Sequence, residues 1–322
     1  MYHPAQYNAA MQVQPPQQMH PPQMLPPQET QEPEDPKRQL CRRLSKASYL
    51  ESVHELVAEA TQSYAAILQT WPAIFEHRGF SAFTAALTVA PGFEVLLVSF
   101  RGTVGTPEWL SYPGALAGEP FMCVEGLTGF APFVDAVQKI WHRPGDGVCD
   151  GGPPSTMGET ISRSLDAGRQ VWLTGHSRGG AIAQLAAALL ACGEDSRESD
   201  ANLSRVSIMT FNAPRVLCAA DIARYERARQ VYAIEHRRIE HRGDLVRHMP
   251  PGLGLKHGGD SEMHGESVIR SERIVGTALS AVRAFAAAGT GGANGNAAAG
   301  RGGNILGSLA QAFVRHAAES HR

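Results

Sequence analysis

The chain has 322 residues, 43% hydrophobic and 19% charged, which excludes a wholly disordered, collagen-like or coiled-coil protein and leaves room for one large domain with tails or two small ones. Its 29 Lys and Arg against 31 Asp and Glu give a net charge of −2, so there is no basic field for a phosphate backbone and nucleic acid is not an expected partner. The five cysteines, Cys41, Cys123, Cys149, Cys192 and Cys218, lie far apart without a CxxC pair, which argues against a disulfide framework or a thiolate zinc site.

Residues 1–36 are dominated by Pro, Gln and Met, a composition that cannot bury enough apolar surface to offset the entropy of ordering, and are expected to form a disordered tail. They also lack the cationic start and apolar run of a secretory signal, so the expected setting is reducing and cytoplasmic. From Leu40 to Leu68 apolar residues recur near the helical period, at Leu44, Leu50, Val53, Leu56, Val57, Tyr64, Ile67 and Leu68. Phe80 to Val89 and Glu94 to Phe100 read as strands joined by a Pro91-Gly92 turn. Helices follow at Phe130 to Trp141 and Met157 to Leu165, separated by a Gly/Pro-rich loop.

Gln170 to Thr174 is a short apolar strand, Arg178 to Cys192 a helix of small residues, and Val206 to Phe211 a buried strand. Ala181 to Cys192 is the longest apolar run, and Gln184 interrupts it well short of the roughly 18 residues that span a bilayer. Asp221 to Arg229 reads as helix, Val231 to His236 as strand and Glu266 to Phe285 as helix. A Gly/Ala-rich linker is expected over residues 286–304, and a short helix within 305–322 with Leu306, Leu309 and Phe313 on one face. Strands alternating with helices give an α/β fold over residues 40–285, a mainly parallel sheet with helices on both faces.

The strongest chemical signal is Gly175-His176-Ser177-Arg178-Gly179, a G-x-S-x-G between an apolar strand and a helix. A sharp strand-to-helix turn exposes such a serine at the helix N-terminus, where amides and dipole favour a developing oxyanion. The bland alternative is a glycine-rich turn with a capping serine, and the flanking strand and helix weigh against it. A serine nucleophile needs a base and an orienting carboxylate, which follow it in the order Asp/Glu then His in α/β-hydrolases. Asp244 lies in a polar turn downstream, His241 precedes it, and His248, His257 and His264 follow. By itself, Asp244 in an Arg-Gly-Asp turn also fits a plain turn former.

Four segments, LLVSFRGTVGTPEW, GFAPFVDAV, VWLTGHSRGGAIAQLAAALL with MTFNAPRV, and HRGDLVRHMPP, give the chain a resemblance to the class 3, fungal-lipase-like family of the α/β-hydrolases, over about Phe80 to Pro251. The resemblance implies Ser177 as nucleophile and Asp244 as the acid that orients the histidine. It also implies an oxyanion hole from Thr103 and the backbone amide of Arg178, and an interfacial lid within Trp109 to Gly129. That lid segment, with Leu110, Tyr112, Leu116, Phe121 and Met122, suits a mobile apolar flap or an ordinary packed loop. Arg178 replaces a usually apolar residue, which points to a charged or narrowed pocket mouth, and Asn212 replaces a usual glycine.

The family's catalytic histidine follows the Asp by several tens of residues, beyond a noncatalytic histidine that Leu255 to Gly259 resembles. His264 is therefore the preferred base, His257 the second and His316 a distant third. Most of the 13 histidines are expected to be structural or solvent-facing, no metal or other cofactor is expected, and Trp109 and Trp172 read as core. The function implied is hydrolysis of a carboxylic ester of a lipid, an acylglycerol or a phospholipid, with at most peripheral contact with a lipid interface. A catalytically inactive lipase-like scaffold is the rival reading, and an acyltransferase or thioesterase on the same triad is a third.

Overall fold

The computed structural model describes residues 35–264 except 48–52, 64, 70–71, 78–79, 103–120, 143, 146–154, 194–199, 243, 245 and 251–252. The tail over residues 1–34, Thr103, Trp109, the helix from Glu266, the linker, the C-terminal helix and His316 lie outside the described residues.

An eight-stranded sheet organises the described chain. Strands β1 (Ile67–Leu68), β2 (Ala73–His77), β3 (Phe80–Ala90) and β4 (Phe93–Phe100) form its antiparallel side, with β1 and β2 both paired to β3. From β4 the sheet runs parallel through β7 (Gln170–His176), β8 (Val206–Phe211), β9 (Glu235–His241) and β10 (Asp260–His264). A separate hairpin pairs β5 (Phe121–Val124) with β6 (Leu127–Phe130). The α/β sheet expected from the alternation of apolar strands and helices is thus present.

One face of the sheet is covered by α1 (Pro36–Ala47) and α2 (Val53–Ser63), which bury Leu40, Cys41, Leu44 and Val57 against Phe83, Val95, Leu97, Trp172, Met209, Phe211 and Ile239. On the other face lie α3 (Ala131–Trp141), α4 (Met157–Asp166), α5 (Arg178–Cys192) and α6 (Ala219–Val231), packed on Leu96, Val98, Val171, Leu173, Val206 and Ile208. Alternate residues of β7 serve the two faces, so Trp172 meets α1 while Val171 and Leu173 meet α5, and both faces of a parallel strand must be apolar. No helix among the described residues is long and apolar enough to cross a membrane.

The start of α4 is fixed by a capping box: Glu159 N–H donates to Thr156 Oγ1 while Glu159 Oε2 accepts from the Thr156 N–H. Thr156→Ala is expected to lower stability by about 1 kcal/mol in urea denaturation without touching activity.

Three elements depart from the sequence reading. The helical stretch read across Leu40 to Leu68 divides into α1, α2 and the short strand β1. The strand read at Val231 to His236 starts later, because α6 runs on to Val231, which is 75% exposed, and β9 is built instead from the charged run Glu235–His241. Its charges are matched from the start of α1 and from β10: Lys37 pairs with Glu235, while Arg237 pairs with Asp35 and Glu262. Residues Asp260–His264, read as loop leading to a helix, form β10, paired in register with β9 so that His264 lies beside His241.

Candidate active site

The serine elbow forms as the sequence suggests. Ser177 links β7 directly to α5 with φ 55° and ψ −126°, a left-handed conformation costly for any residue with a Cβ. Its N–H donates to the Phe211 carbonyl at 2.9 Å, and its own carbonyl accepts from Gly180 and Ala181 at 2.9 and 3.2 Å. A Cβ on Gly175 would lie 2.3 Å from the Gly179 carbonyl carbon, and one on Gly179 would lie 2.0 Å from the Phe100 carbonyl oxygen. Only glycine at both positions lets β4, β7 and α5 meet this closely. The expected exposure of Ser177 is not seen: between β7, β8 and α5 its side chain is enclosed, at 2% residue exposure, and its Oγ has no hydrogen-bond partner among the described residues.

Arg178 occupies the first turn of α5, where backbone amides have no intrahelical acceptor and are directed towards the serine end of the helix. Its side chain does not open onto a pocket mouth. It is buried, at 4% exposure, and its Nη2 donates to the Gly102 carbonyl at 2.9 Å, just beyond β4.

Asn212 ends β8 with φ 48°, which explains the glycine that the family usually carries there: the turn needs a positive φ, and asparagine tolerates one. The asparagine adds a contact that glycine lacks. Its Oδ1 accepts the His241 backbone N–H at 2.9 Å and lies 3.3 Å from His241 Nδ1, while its own N–H donates to the Ile239 carbonyl at 2.9 Å. This fastens the end of β9, from which Asp244 hangs: the Asp244 N–H donates to the His241 carbonyl at 3.2 Å, and its Oδ1 accepts the Val246 N–H at 2.8 Å. Nothing in the segment apart from the departure from glycine signalled this role in advance.

The sheet register sets the lateral spacing of the site. Ser177 follows β7 and Asp244 follows β9, two strand spacings or about 10 Å apart, the gap that one imidazole bridges. His264 ends β10, three spacings or about 14 Å from β7. A serine and a histidine in hydrogen-bond contact have Cα atoms no more than about 10 Å apart. In the sheet the preferred base therefore stands one strand further from the nucleophile than Asp244 does.

The chemistry around His264 agrees with this. Its Nε2 lies 2.7 Å from Arg38 Nη2, and since a guanidinium only donates, this nitrogen is an acceptor already engaged. The His241 ring stands alongside at 6.4 Å between centroids.

His257 is placed differently. Its Nε2 donates to the Arg247 carbonyl at 2.8 Å, and its Nδ1 is buried without a hydrogen-bond partner. Burial, reinforced by the Arg238 charge, holds its pKa down at about 3, so it stays neutral. His248 is also lowered, by burial and then by the neighbouring Arg247. His236 lies under α6 with Nδ1 2.9 Å from the Tyr225 hydroxyl, its pKa lowered by burial to about 3. Among the described residues no histidine is hydrogen-bonded to Ser177 Oγ.

Part of the segment expected to act as a lid is fixed in place. Glu125 and Gly126, with φ 46° and 74°, make the two-residue turn that joins β5 to β6, a geometry matched to the twist of a hairpin. The Thr128 N–H donates to Asp221 Oδ2 at 2.8 Å, the Thr128 carbonyl accepts from Cys218 at 3.0 Å, and the Phe130 N–H donates to Val216 at 2.9 Å. Residues 121–129 are therefore a packed hairpin, with Phe121 and Met122 exposed at its outer end, and the remainder of the segment lies outside the described residues.

The model of the lipase (class 3) family matches residues 97–253, from β4 to beyond Asp244. Among solved structures, the chain is similar to the lipase of Rhizopus microsporus var. chinensis, at 23% identity over 71% of this chain and 74% of that one, with a TM-score of 0.50. It is similar to the M37 lipase at 17% identity over 79% and 81%, also at 0.50. A Rhizomucor miehei lipase propeptide complex matches at 21% identity over 71% and 66%, again at 0.50. At these identities the likeness bears on the fold. No curated protein sequence matches the chain.

Proposed function

Because the class 3 lipase family model matches residues 97–253, the stretch that carries the elbow, we propose that the chain is a serine hydrolase cleaving the carboxylic ester bonds of lipids through an acyl-enzyme on Ser177. The observation that carries this reading is the strained elbow, which holds a serine oxygen, without a hydrogen-bond partner among the described residues, at the N-terminus of α5. A fold kept only for binding has no need of that strain.

In the proposed mechanism Ser177 Oγ attacks the ester carbonyl carbon and gives its proton to an imidazole. The imidazole returns the proton to the departing alcohol oxygen as the ester C–O bond breaks. Water then attacks the acyl carbon and the serine is released. The Arg178 backbone N–H and Thr103 receive the oxyanion, each worth roughly 3 kcal/mol of barrier in comparable sites. Asp244 orients the imidazole, for which its place two strands from the serine is suitable. We assign the base to the residues following β10, where the histidines are His316 and His321, since His264 stands three strands from β7 with its Nε2 on Arg38, and His257 commits its Nε2 to the Arg247 carbonyl. Acylglycerols and phospholipids both offer the ester this site would cleave.

The inactive-scaffold reading draws on one observation, the lack of a described histidine on Ser177 Oγ. Fluorophosphonate labelling of the full chain separates the two. The expected result is labelled wild type, with labelling lost in Ser177→Ala and in one of His316→Ala or His321→Ala but kept in His257→Ala and His264→Ala. Folded wild type that takes up no label hands the lead to the scaffold, and labelling lost in a folded His264→Ala overturns the base assignment.

A further inference from the structure

We propose that the Arg178 side chain, as distinct from its backbone amide, is a positioning residue for acyl transfer: its buried guanidinium fastens the exit of β4 at Gly102 to the N-terminus of the nucleophile helix. The inference rests on Ser177 being the nucleophile and deepens that reading at the same site.

Arg178 is an improbable residue for its position unless it has a task. A guanidinium in the first turn of a helix faces the positive end of the helix dipole, and enclosing it forfeits its hydration. An apolar side chain would fill the same space without either cost. The contact that turns the arrangement to account is the 2.9 Å hydrogen bond from Nη2 to the Gly102 carbonyl. It joins the two elements that flank the reacting oxygen, the end of β4 and the start of α5, which already touch through Gly179 and the Phe100 and Arg101 backbone.

The catalytic consequence follows from covalent geometry. The Gly102 carbonyl belongs to a planar, trans peptide unit whose N–H is that of residue 103, the position that the family resemblance makes an oxyanion donor. Holding the carbonyl oxygen therefore restrains rotation of the peptide unit that follows Gly102. A cation donating to the carbonyl also polarises the unit and makes the same N–H a stronger donor. Arg178 would thus act on the transition state through Gly102 without touching substrate, and its loss should appear in kcat while KM stays put.

The test compares wild type with Arg178→Met, which keeps the apolar stem volume, and Arg178→Lys, which keeps a single charged donor. Each is assayed on a soluble short-chain p-nitrophenyl ester, with rates per folded molecule from circular dichroism and fluorophosphonate titration. Arg178→Met is expected to lower kcat about 100-fold with KM within about twofold, and Arg178→Lys to recover about tenfold of the loss. A purely structural arginine would lower the melting temperature and leave kcat per folded molecule alone. A folded Arg178→Met with kcat within threefold of wild type overturns the proposal. Should that variant not fold, Arg178→Gln, a neutral donor of shorter reach, carries the test with the same threshold. Wild type that neither hydrolyses nor labels overturns the hydrolase reading and this role with it, whereas labelled wild type with an equally active Arg178→Met overturns this role alone.

Discussion

Ser177→Ala is expected to lower ester hydrolysis by about 10⁴- to 10⁶-fold and to abolish fluorophosphonate labelling, the size of loss seen when a nucleophile that works as part of a unit is removed. The stability of the same variants should move the other way. Ser177 holds a left-handed conformation and buries a hydroxyl with no partner among the described residues, and each is an ordinary source of instability of roughly 1 to 3 kcal/mol. Alanine removes the stranded hydroxyl but keeps the strain, whereas glycine removes both and costs about 0.5 to 1 kcal/mol in unfolded-chain entropy. Ser177→Gly should therefore be inactive and about 1 kcal/mol more stable than wild type in urea denaturation. If both variants prove less stable than wild type by 1 kcal/mol or more, the elbow is not under strain and the argument from it fails.

Gly179→Ala is expected to cost more than about 3 kcal/mol, a large share of the 5 to 15 kcal/mol that holds a typical domain together. Helix propensity alone predicts the reverse, a gain of about 1 kcal/mol for alanine over glycine within a helix. The contact decides the sign. The added methyl would sit 2.0 Å from the Phe100 carbonyl oxygen and 2.8 Å from its carbon, and both belong to the backbone of a central strand that cannot turn aside. Gly92→Ala is the control: its φ of 73° strains an alanine, yet nothing lies within 4 Å of the new methyl, so about 1 kcal/mol is expected. Equal melting curves for Gly179→Ala and wild type would show that β4 and α5 do not meet as described.

What was legible in the sequence was what steric necessity writes into residue identity. The glycines around Ser177 are dictated by contacts closer than any Cβ allows, and the apolar strands β4, β7 and β8 by burial on both faces, so both could be read without coordinates. The charged strand β9 and the polar strand β10 could not. Their Arg and Glu residues are neutralised by partners up to 202 positions away, and local periodicity carries no record of such pairing. The setting of His264 was hidden for the same reason, since its order in the chain after Asp244 says nothing of the three strand spacings between β7 and β10. Asn212 showed as a departure from a pattern, but its tie to the His241 amide is visible only in three dimensions.

The covering of the sheet by α1 has a consequence for the way the chain is made. On the ribosome Leu40, Cys41 and Leu44 emerge well before some of the surfaces they seal, Met209, Phe211 and Ile239, and the charges that clamp the helix, Glu235, Arg237 and Glu262. The nascent helix must wait for some 200 residues before its dock exists. Until then the half-built sheet presents Phe83, Val95, Leu97 and Trp172 to its surroundings, the state in which such chains aggregate or recruit chaperones. Shortening the chain from its start into α1 should therefore reduce the yield of recoverable protein far more than it alters the turnover of the molecules that do fold.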